Sequence, residues 1–245
     1  MIYSLDDITP TRSLNLAYII LDSIFLVVLL TLLLVKKRYA TVVWSLLGGI
    51  LYFIVDYGFF HLISDSRVIM FNGRESETIT ALVLLWMSLS YGITNFAFIW
   101  LCLKKDKYLK EWLILIIMWW LIAPSLSSFD TTNTIITYRT TTKYHFIMAI
   151  ILVIGYLLLI IQNLLTKGNK INILYLILIG VSVQFAWEFS LLVNGIRPLN
   201  GSSIMTLIIN SCLETNLGMP YIYLIYKCFS MHYNDDFSKK LISEN

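Results

Sequence analysis

Four acidic residues stand inside stretches that are otherwise apolar: Asp22, Asp56, Glu188 and Glu214. A carboxylate at membrane depth costs on the order of 3 kcal/mol even on the lenient insertion scale, so such a residue indicates a functional site. A carboxylic acid in apolar surroundings can stay protonated near neutral pH and act as a general acid. The four acids therefore predict acid–base chemistry inside a membrane.

The composition indicates that most of the chain lies in a bilayer. Of the 245 residues, 58% are hydrophobic and only 13% are charged, whereas soluble domains carry roughly a quarter charged residues. The net charge of +3 is small and its basic residues are spread among loops, which excludes a nucleic-acid footprint. We predict an all-α membrane protein whose partner is the lipid bilayer, with its oligomeric state left open.

Runs of about 20 apolar residues, the length that crosses the hydrocarbon core, occur seven times. The predicted spans are residues 14–35, 40–64, 78–103, 109–124, 144–165, 171–194 and 204–227. Most of the 18 lysines and arginines follow spans one, three, five and seven. By the positive-inside rule these segments face the cytoplasm, so we expect the N-terminus outside and the C-terminus inside. The whole chain, 1–245, is predicted to be one transmembrane domain.

Residues 46–73 and 178–201 resemble each other. Each stretch places an acid in a span (Asp56 or Glu188), then an arginine (Arg67 or Arg197), then an Asn-Gly pair at 72–73 or 200–201. Spans one to three and five to seven would then be related units, 14–103 and 144–227, joined by the linker helix 109–124. Parallel repeats of this kind place their site near the interface between the halves. Chance similarity between two apolar helices is the alternative.

The rise of about 1.5 Å per helical residue places all four acids between the outer interface and the midplane. A site built from them would open outward or into the outer leaflet. Gln184 precedes Glu188 by four residues, and Asn210 precedes Glu214 by four, so each acid shares a helix face with a carboxamide. Such a neighbour can hydrogen-bond a protonated or an ionised carboxyl.

We take Glu188, Asp56 and Glu214 as the catalytic candidates. The substrate-binding candidates are polar and aromatic residues predicted to surround these acids: Asp22, Tyr52, Trp86, Gln184, Trp187, Asn210 and Asn216. The structural alternatives are that Asp56 pairs with His61 or Arg67, and that Arg67 and Arg197 are charges of the outer loops. The Ser/Thr-rich residues 125–143 are expected to form a solvated connector.

The sequence contains no recognisable metal or cofactor motif. Its histidines are scattered at His61, His145 and His232, and it has neither an HExxH sequence nor a Gly-rich phosphate loop. We therefore predict no metal and no cofactor. A cyclase would fit this inventory, because protonation by an acid and stabilisation of a carbocation by aromatic faces require neither.

The Trp187-Glu188 pair within a helix and the Gly218-Met219-Pro220 segment resemble motifs of the integral-membrane terpene cyclases of fungal meroterpenoid and indole-diterpene pathways. The resemblance implies a seven-span fold and two embedded acids that protonate an epoxide or alkene of a lipophilic prenylated substrate. It assigns the proton donor to Glu188, with Asp56 or Glu214 as the second acid. In that family Gly-Met-Pro comes first, near the second span, whereas here it follows Trp-Glu.

A transporter is the second possibility. Parallel three-helix units joined by a linker helix resemble the SWEET sugar transporters, and intramembrane carboxylates are common in proton-coupled transport. Such a protein would carry a small polar or cationic solute. A polar passage continuing past Asn95 would favour transport, whereas a closed apolar cavity beside the acids would favour a cyclase.

Overall fold

The computed structural model describes residues 10–139, 144–166, 168, 170–199 and 201–238. This part of the chain forms seven α-helices: α1 Leu16–Val35, α2 Tyr39–Phe53, α3 Glu77–Lys104, α4 Leu109–Leu126, α5 His145–Leu165, α6 Ile173–Val193 and α7 Gly201–His232. A π-helical segment, Ile54–Ile63, follows α2 without a break. The predicted helices are confirmed to within a few residues at each end.

Six of the seven helices are long and apolar enough to cross a membrane, judged by length and composition, with α2 and its π-helical continuation counted as one span, Tyr39–Ile63. Their outward faces carry large apolar side chains, such as Val27 on α1 and Leu164 on α5, which are 65% and 78% exposed. So much exposed apolar surface suits contact with lipid rather than water. The chain is a multi-pass membrane protein. Helix α7 is not among the six, so its predicted span stays a prediction.

The all-α prediction is wrong in one respect, because the chain also forms a four-stranded antiparallel sheet. The strands are β1 Pro10–Asn15, β2 Arg67–Phe71, β3 Arg74–Glu75 and β4 Thr134–Arg139, in the order β1-β4-β2-β3. The expected solvated connector at 125–143 is therefore corrected as well. Its TIITYR segment is rich in β-branched residues, which favour strands, and Ile135 and Thr137 are buried.

The sheet covers one end of the helical bundle, the end where α1, α3 and α5 begin. Strand β1 leads directly into α1, where the side chain of Asn15 accepts a hydrogen bond from the backbone N–H of Tyr18 and caps the helix. The backbone N–H of Ser13 donates to the carbonyl of Ile196, which ties the loop between α6 and α7 to the same end. The sheet therefore gathers loop residues above the helices.

Two helix pairs pack most closely, α2 with α3 and α6 with α7. A Cβ atom added to Gly92 would lie 2.2 Å from the Cα atom of Gly49, so only glycine permits the crossing of α2 and α3. In the second pair, a Cβ atom on Gly180 would lie 2.6 Å from the Met219 side chain. At the first crossing two backbones meet directly, and at the second the Met219 side chain packs onto the backbone of Gly180.

Candidate functional site

Asp56 lies on the π-helical segment and is bound by two arginines. Arg67 of β2 donates to its Oδ1 atom from Nε at 3.2 Å and from Nη2 at 3.1 Å. Arg139 of β4 donates to the same oxygen from Nη2 at 3.2 Å. The guanidinium of Arg67 also lies 4.2 Å from the ring centre of Phe60. Asp56 is therefore one carboxylate shared by two cations.

Glu188 on α6 has the same kind of surroundings. Arg197, in the loop after α6, donates from Nε and Nη2 to its two carboxylate oxygens at 3.0 and 3.1 Å. Arg12 of β1 lies 3.7 Å away through Nη2, and Asn210 of α7 donates to Oε1 at 3.2 Å. Glu188 itself is completely buried. A second carboxylate is thus shared by two arginines.

The charges of the arginines respond to this environment. Burial lowers the pKa of Arg12 from its ordinary value. Burial, together with the charge of Arg139, lowers the pKa of Arg67 to about 10. Burial acts on Arg139 in the same direction, but the Asp56 carboxylate outweighs it and raises the pKa of that arginine. Four guanidiniums thus face two carboxylates through these ion pairs.

Glu214, on α7, differs from these two acids in its partner. The carboxamide of Gln184 donates from Nε2 to Glu214 Oε2 at 2.9 Å. The oxygen of the same carboxamide accepts a bond of 2.6 Å from the Thr215 hydroxyl, which fixes its orientation. Glu214 lies within Coulombic range of Glu188 and of the guanidinium of Arg139. It therefore belongs to the same cluster but bonds to a neutral group.

Tyr52 lies near acids from both predicted repeat units, Asp56 and Glu214. Its hydroxyl is beside Thr215 and Asn95, and the charges of Glu214 and Asp56 both reach it. Its ring meets that of Phe96 edge to face, with centroids 6.1 Å apart. The structure thus brings Asp56, Glu188 and Glu214 into one cluster, together with Tyr52, Gln184 and Asn210 from the predicted set.

Asp22 is separate from that cluster. It is completely buried, and it accepts hydrogen bonds from the indole N–H groups of Trp86 at 3.1 Å and Trp119 at 3.0 Å. Among the described residues no cation pairs with it. Trp86 was expected to lie beside the catalytic candidates, but the acid that it contacts is Asp22.

Asn216 and Trp187 occupy the sides of the cluster. The Asn216 oxygen accepts a bond of 2.6 Å from the Tyr156 hydroxyl, so it joins α7 to α5. The Trp187 ring meets Tyr91 and Trp120 edge to face, with centroids 4.7 and 5.3 Å apart. These three rings form an aromatic wall beside Glu188.

Sequence reasoning missed Arg12 and Arg139 as members of the site. Both were expected to lie in loops, yet Arg12 is only 6% exposed and Arg139 enters the cluster from a central strand. Arg67 and Arg197, expected as loop charges, are also buried. The β-branched residues of the TIIT segment that precedes Arg139, which favour a strand, were the available signal. His61 pairs with Glu77 at 3.1 Å rather than with Asp56, and Asn200 lies outside the described residues.

Comparisons with family models, with curated proteins and with solved structures found no match to this chain. The fold and the cluster define a multi-pass helical membrane protein with a buried site of arginines and acids under a small sheet.

Proposed function

We propose that this chain is an intramembrane acid–base enzyme that acts on a lipophilic small molecule, with Glu214 as its proton donor. The observation that carries the proposal is the difference between the three clustered acids. Asp56 and Glu188 are each bound by two guanidiniums, whereas Glu214 bonds the neutral carboxamide of Gln184. Two guanidiniums bonded directly to a carboxyl group stabilise its ionised form more than guanidiniums at longer range, so a carboxyl bonded to a neutral group is the better proton donor.

The substrate class we propose is a prenyl epoxide or a terpenoid alkene. The resemblance of Trp187-Glu188 and Gly218-Met219-Pro220 to motifs of membrane terpene cyclases supports this class. The wall formed by Trp187, Tyr91 and Trp120 supports it too, because aromatic faces stabilise carbocations. In this proposal Asp56 and Glu188 hold the arginines in place, and Glu214 gives its proton to the substrate. The epoxide C–O bond or the alkene π bond supplies the electron pair, and the resulting carbocation loses a proton from a neighbouring carbon, which restores the protonated acid.

We further propose that the two halves of the chain are parallel repeats, residues 14–103 and 144–227. The supporting observation is that Asp56 and Glu188 each bind the arginine that follows them in their own half. Each also meets an arginine from the strand that precedes the other half, Arg139 for Asp56 and Arg12 for Glu188. Such an exchange is what a two-fold relation between the halves would produce. We also propose the orientation predicted from the sequence, in which the N-terminus and the sheet lie outside the cell and the C-terminus lies in the cytoplasm.

The experiment is turnover of prenyl epoxides and terpenols by the purified protein in lipid nanodiscs. Glu214→Gln should lower kcat at least about 100-fold, since general acids contribute roughly 10²–10⁴ to a rate. Glu77→Gln is the matched control, because that exposed acid bonds His61 at the bundle's surface. Unchanged turnover by Glu214→Gln would show that Glu214 is not the proton donor. If the folded wild-type protein turns over none of these substrates, the proposal that it is an enzyme is wrong.

A transporter is the second candidate, and the similar close packing of α2 on α3 and of α6 on α7 favours it. Sites between parallel repeats are typical of transporters with this architecture. Uptake of a small solute into proteoliposomes, abolished by a protonophore, would support transport. If the same protein turns over a prenyl substrate and accumulates no solute, the transporter is excluded.

A further inference from the structure

A cavity of about 480 Å³ lies at the end of the bundle opposite the sheet, where the α1–α2 turn, the α3–α4 turn and the segment after α7 meet. Half of the residues that line it are basic: Lys36, Lys37, Arg38, Lys104 and Lys107. Two others, Asp235 and Asp236, are acidic. A cavity of this size accommodates a small ligand, and the excess of cations in its lining indicates an anionic one.

An ion-pair network joins the three segments that form this cavity. Arg38 Nε lies 2.5 Å from Asp106 Oδ2 and 3.9 Å from Asp235 Oδ2. Lys104 Nζ lies 2.9 Å from the same oxygen of Asp235. Both acids are buried, and the backbone N–H of Ala40 donates to the Asp235 carbonyl at 2.7 Å. The network therefore fixes the segments, and it pairs Arg38 and Lys104 with acids.

The other three lysines of the lining, Lys36, Lys37 and Lys107, form no ion pair with any described residue. Asp236, the remaining acid, is bonded within its own turn. The ammonium groups of Lys36 and Lys107 lie 5.2 and 4.8 Å from the ring centre of Tyr108, so two like charges are held beside one ring. Like charges close together repel each other, and a bound anion would offset that repulsion.

The exposed apolar face of α1 leads to this cavity. Val35, which lines the cavity, is 69% exposed, and Val28 and Ile24 lie on the same side of the helix and are exposed as well. At a rise of about 1.5 Å per residue, the face from Ile24 to Val35 is about 16 Å long, which is about one leaflet of the hydrocarbon core. A lipid whose headgroup occupies the cavity could therefore lay an acyl chain along α1.

We propose that this cavity binds the phosphate group of an anionic phospholipid, with Lys36, Lys37 and Lys107 as its contacts. Three ammonium groups without acidic partners account for the phosphate, and the apolar face of α1 accounts for the lipid. Basic pockets between membrane helices bind such headgroups, typically on the cytoplasmic side, which is where the sequence places this end of the bundle. The site is independent of Glu214 and of any enzymatic turnover.

Lipid titration of the detergent-purified protein tests the ligand. Phosphatidylglycerol should raise the Tm in a saturable manner, because a ligand that binds only the folded state stabilises it. Phosphatidylcholine with the same acyl chains should not, because its choline group cancels the phosphate charge. Equal stabilisation by the two lipids would overturn the proposal.

Inorganic phosphate and glycerol phosphate, added at the same ionic strength, distinguish a lipid from a soluble ligand. Both carry the charged group but have no acyl chain to lie along α1. They should raise the Tm only at concentrations far above those at which phosphatidylglycerol acts. If they act at the same concentrations as the lipid, the ligand is a soluble phosphate and the lipid is wrong.

Two double variants with the same net charge test the position of the site. Lys36→Gln with Lys107→Gln removes two contacts, and at about fivefold in affinity per lysine the half-saturating phosphatidylglycerol concentration should rise about 25-fold. Lys105→Gln with Lys110→Gln is the matched control, because both lysines are exposed at the same end of the bundle but neither lines the cavity. That variant should leave the concentration unchanged. Equal losses in the two double variants would show that binding follows net charge alone and would overturn the proposal.

Discussion

Arg139 donates a hydrogen bond of 3.2 Å to Asp56, a residue 83 positions earlier in the chain. The same oxygen accepts a bond of 3.1 Å from Arg67, so one carboxylate joins β4, β2 and the π-helical segment. Arg67 and Arg139 are also direct partners in the register of the sheet. Their charges lie side by side, and the Asp56 carboxylate between them offsets the repulsion. The sheet and the helices are thus coupled through one acid.

The first prediction concerns this coupling. Arg139→Gln and Asp56→Asn should each destabilise the protein, and the double variant should lose less than the sum of the two. We expect a coupling energy of about 1–2 kcal/mol, below the value for a fully buried pair because the Arg139 side chain is 17% exposed. Denaturation of the four proteins in the same detergent measures it.

Arg74 provides the control for this cycle. It lies on the short strand β3 with an exposed side chain, and no ion pair of this residue is present in the described structure. Arg74→Gln combined with Asp56→Asn should be additive within about 0.5 kcal/mol. Additivity in the Arg139 cycle as well would show that the bond contributes nothing.

The helices could be predicted from the sequence because each is encoded locally. A run such as residues 145–165 is apolar apart from His145 at its start and Gln162 and Asn163 near its end, and its length matches a bilayer. The sheet could not be predicted in the same way. Strand β1 is only six residues long, and its partners in β4, such as Thr137 opposite Arg12, lie more than a hundred residues away. No local pattern specifies that pairing.

The candidate site shows the same division. Gln184 and Glu214 were singled out as polar residues in apolar helices, and the structure joins them with a bond of 2.9 Å. Arg12 and Arg139 were missed because their burial depends on the sheet. Once a sheet covers the bundle, loop cations come within reach of helix acids, and an acid predicted as catalytic acquires a salt bridge.

The second prediction concerns the crossing of α2 and α3. Gly92→Ala would place a Cβ atom 2.2 Å from both the Cα and N atoms of Gly49. Because these are backbone atoms, the helices must separate, and we expect a loss of at least about 2–3 kcal/mol in stability. Thermal unfolding followed by circular dichroism measures the loss. Gly58→Ala is the control, since its added Cβ atom meets nothing within 4 Å. Equal stability of the two variants would contradict the crossing.

The third prediction concerns Asp22. Trp119→Phe removes one of the two indole donors to this buried carboxyl but keeps a ring that can stack on Phe25, whose centroid lies 4.6 Å away. An unsatisfied buried acceptor costs about 1–3 kcal/mol, so the variant should lose that much stability. Chemical denaturation measures it.

Trp112→Phe is the comparison for that variant. It makes the same change in volume at a buried indole whose N–H group has no partner. Its loss should therefore come from packing alone and be smaller than that of Trp119→Phe. If both variants lose the same stability, the hydrogen bond from Trp119 to Asp22 makes no net contribution to the free energy of unfolding.

The last prediction uses the pH dependence of Asp130, which lies between α4 and β4, outside the helices. Its oxygens accept hydrogen bonds from the backbone N–H groups of Thr132, Asn133 and Ala17, so it ties this loop to the start of α1. Partial desolvation raises the pKa of Asp130, but these hydrogen bonds lower it by a larger amount. The pKa therefore lies below the ordinary value of 3.8. A carboxyl group with a lowered folded-state pKa stabilises the protein above its unfolded pKa. That contribution is lost as the pH falls through the folded value.

We therefore expect Asp130→Asn to be less stable than the wild type by a constant margin above about pH 5, and the margin to shrink as the pH falls toward about pH 3. Thermal unfolding midpoints of the two proteins across this range measure it. Asp65→Asn is the control, because the Asp65 side chain is exposed and makes no hydrogen bond within the described residues. A margin for Asp130→Asn that widens at low pH would mean that the protonated side chain, rather than the carboxylate, stabilises the junction between this loop and α1.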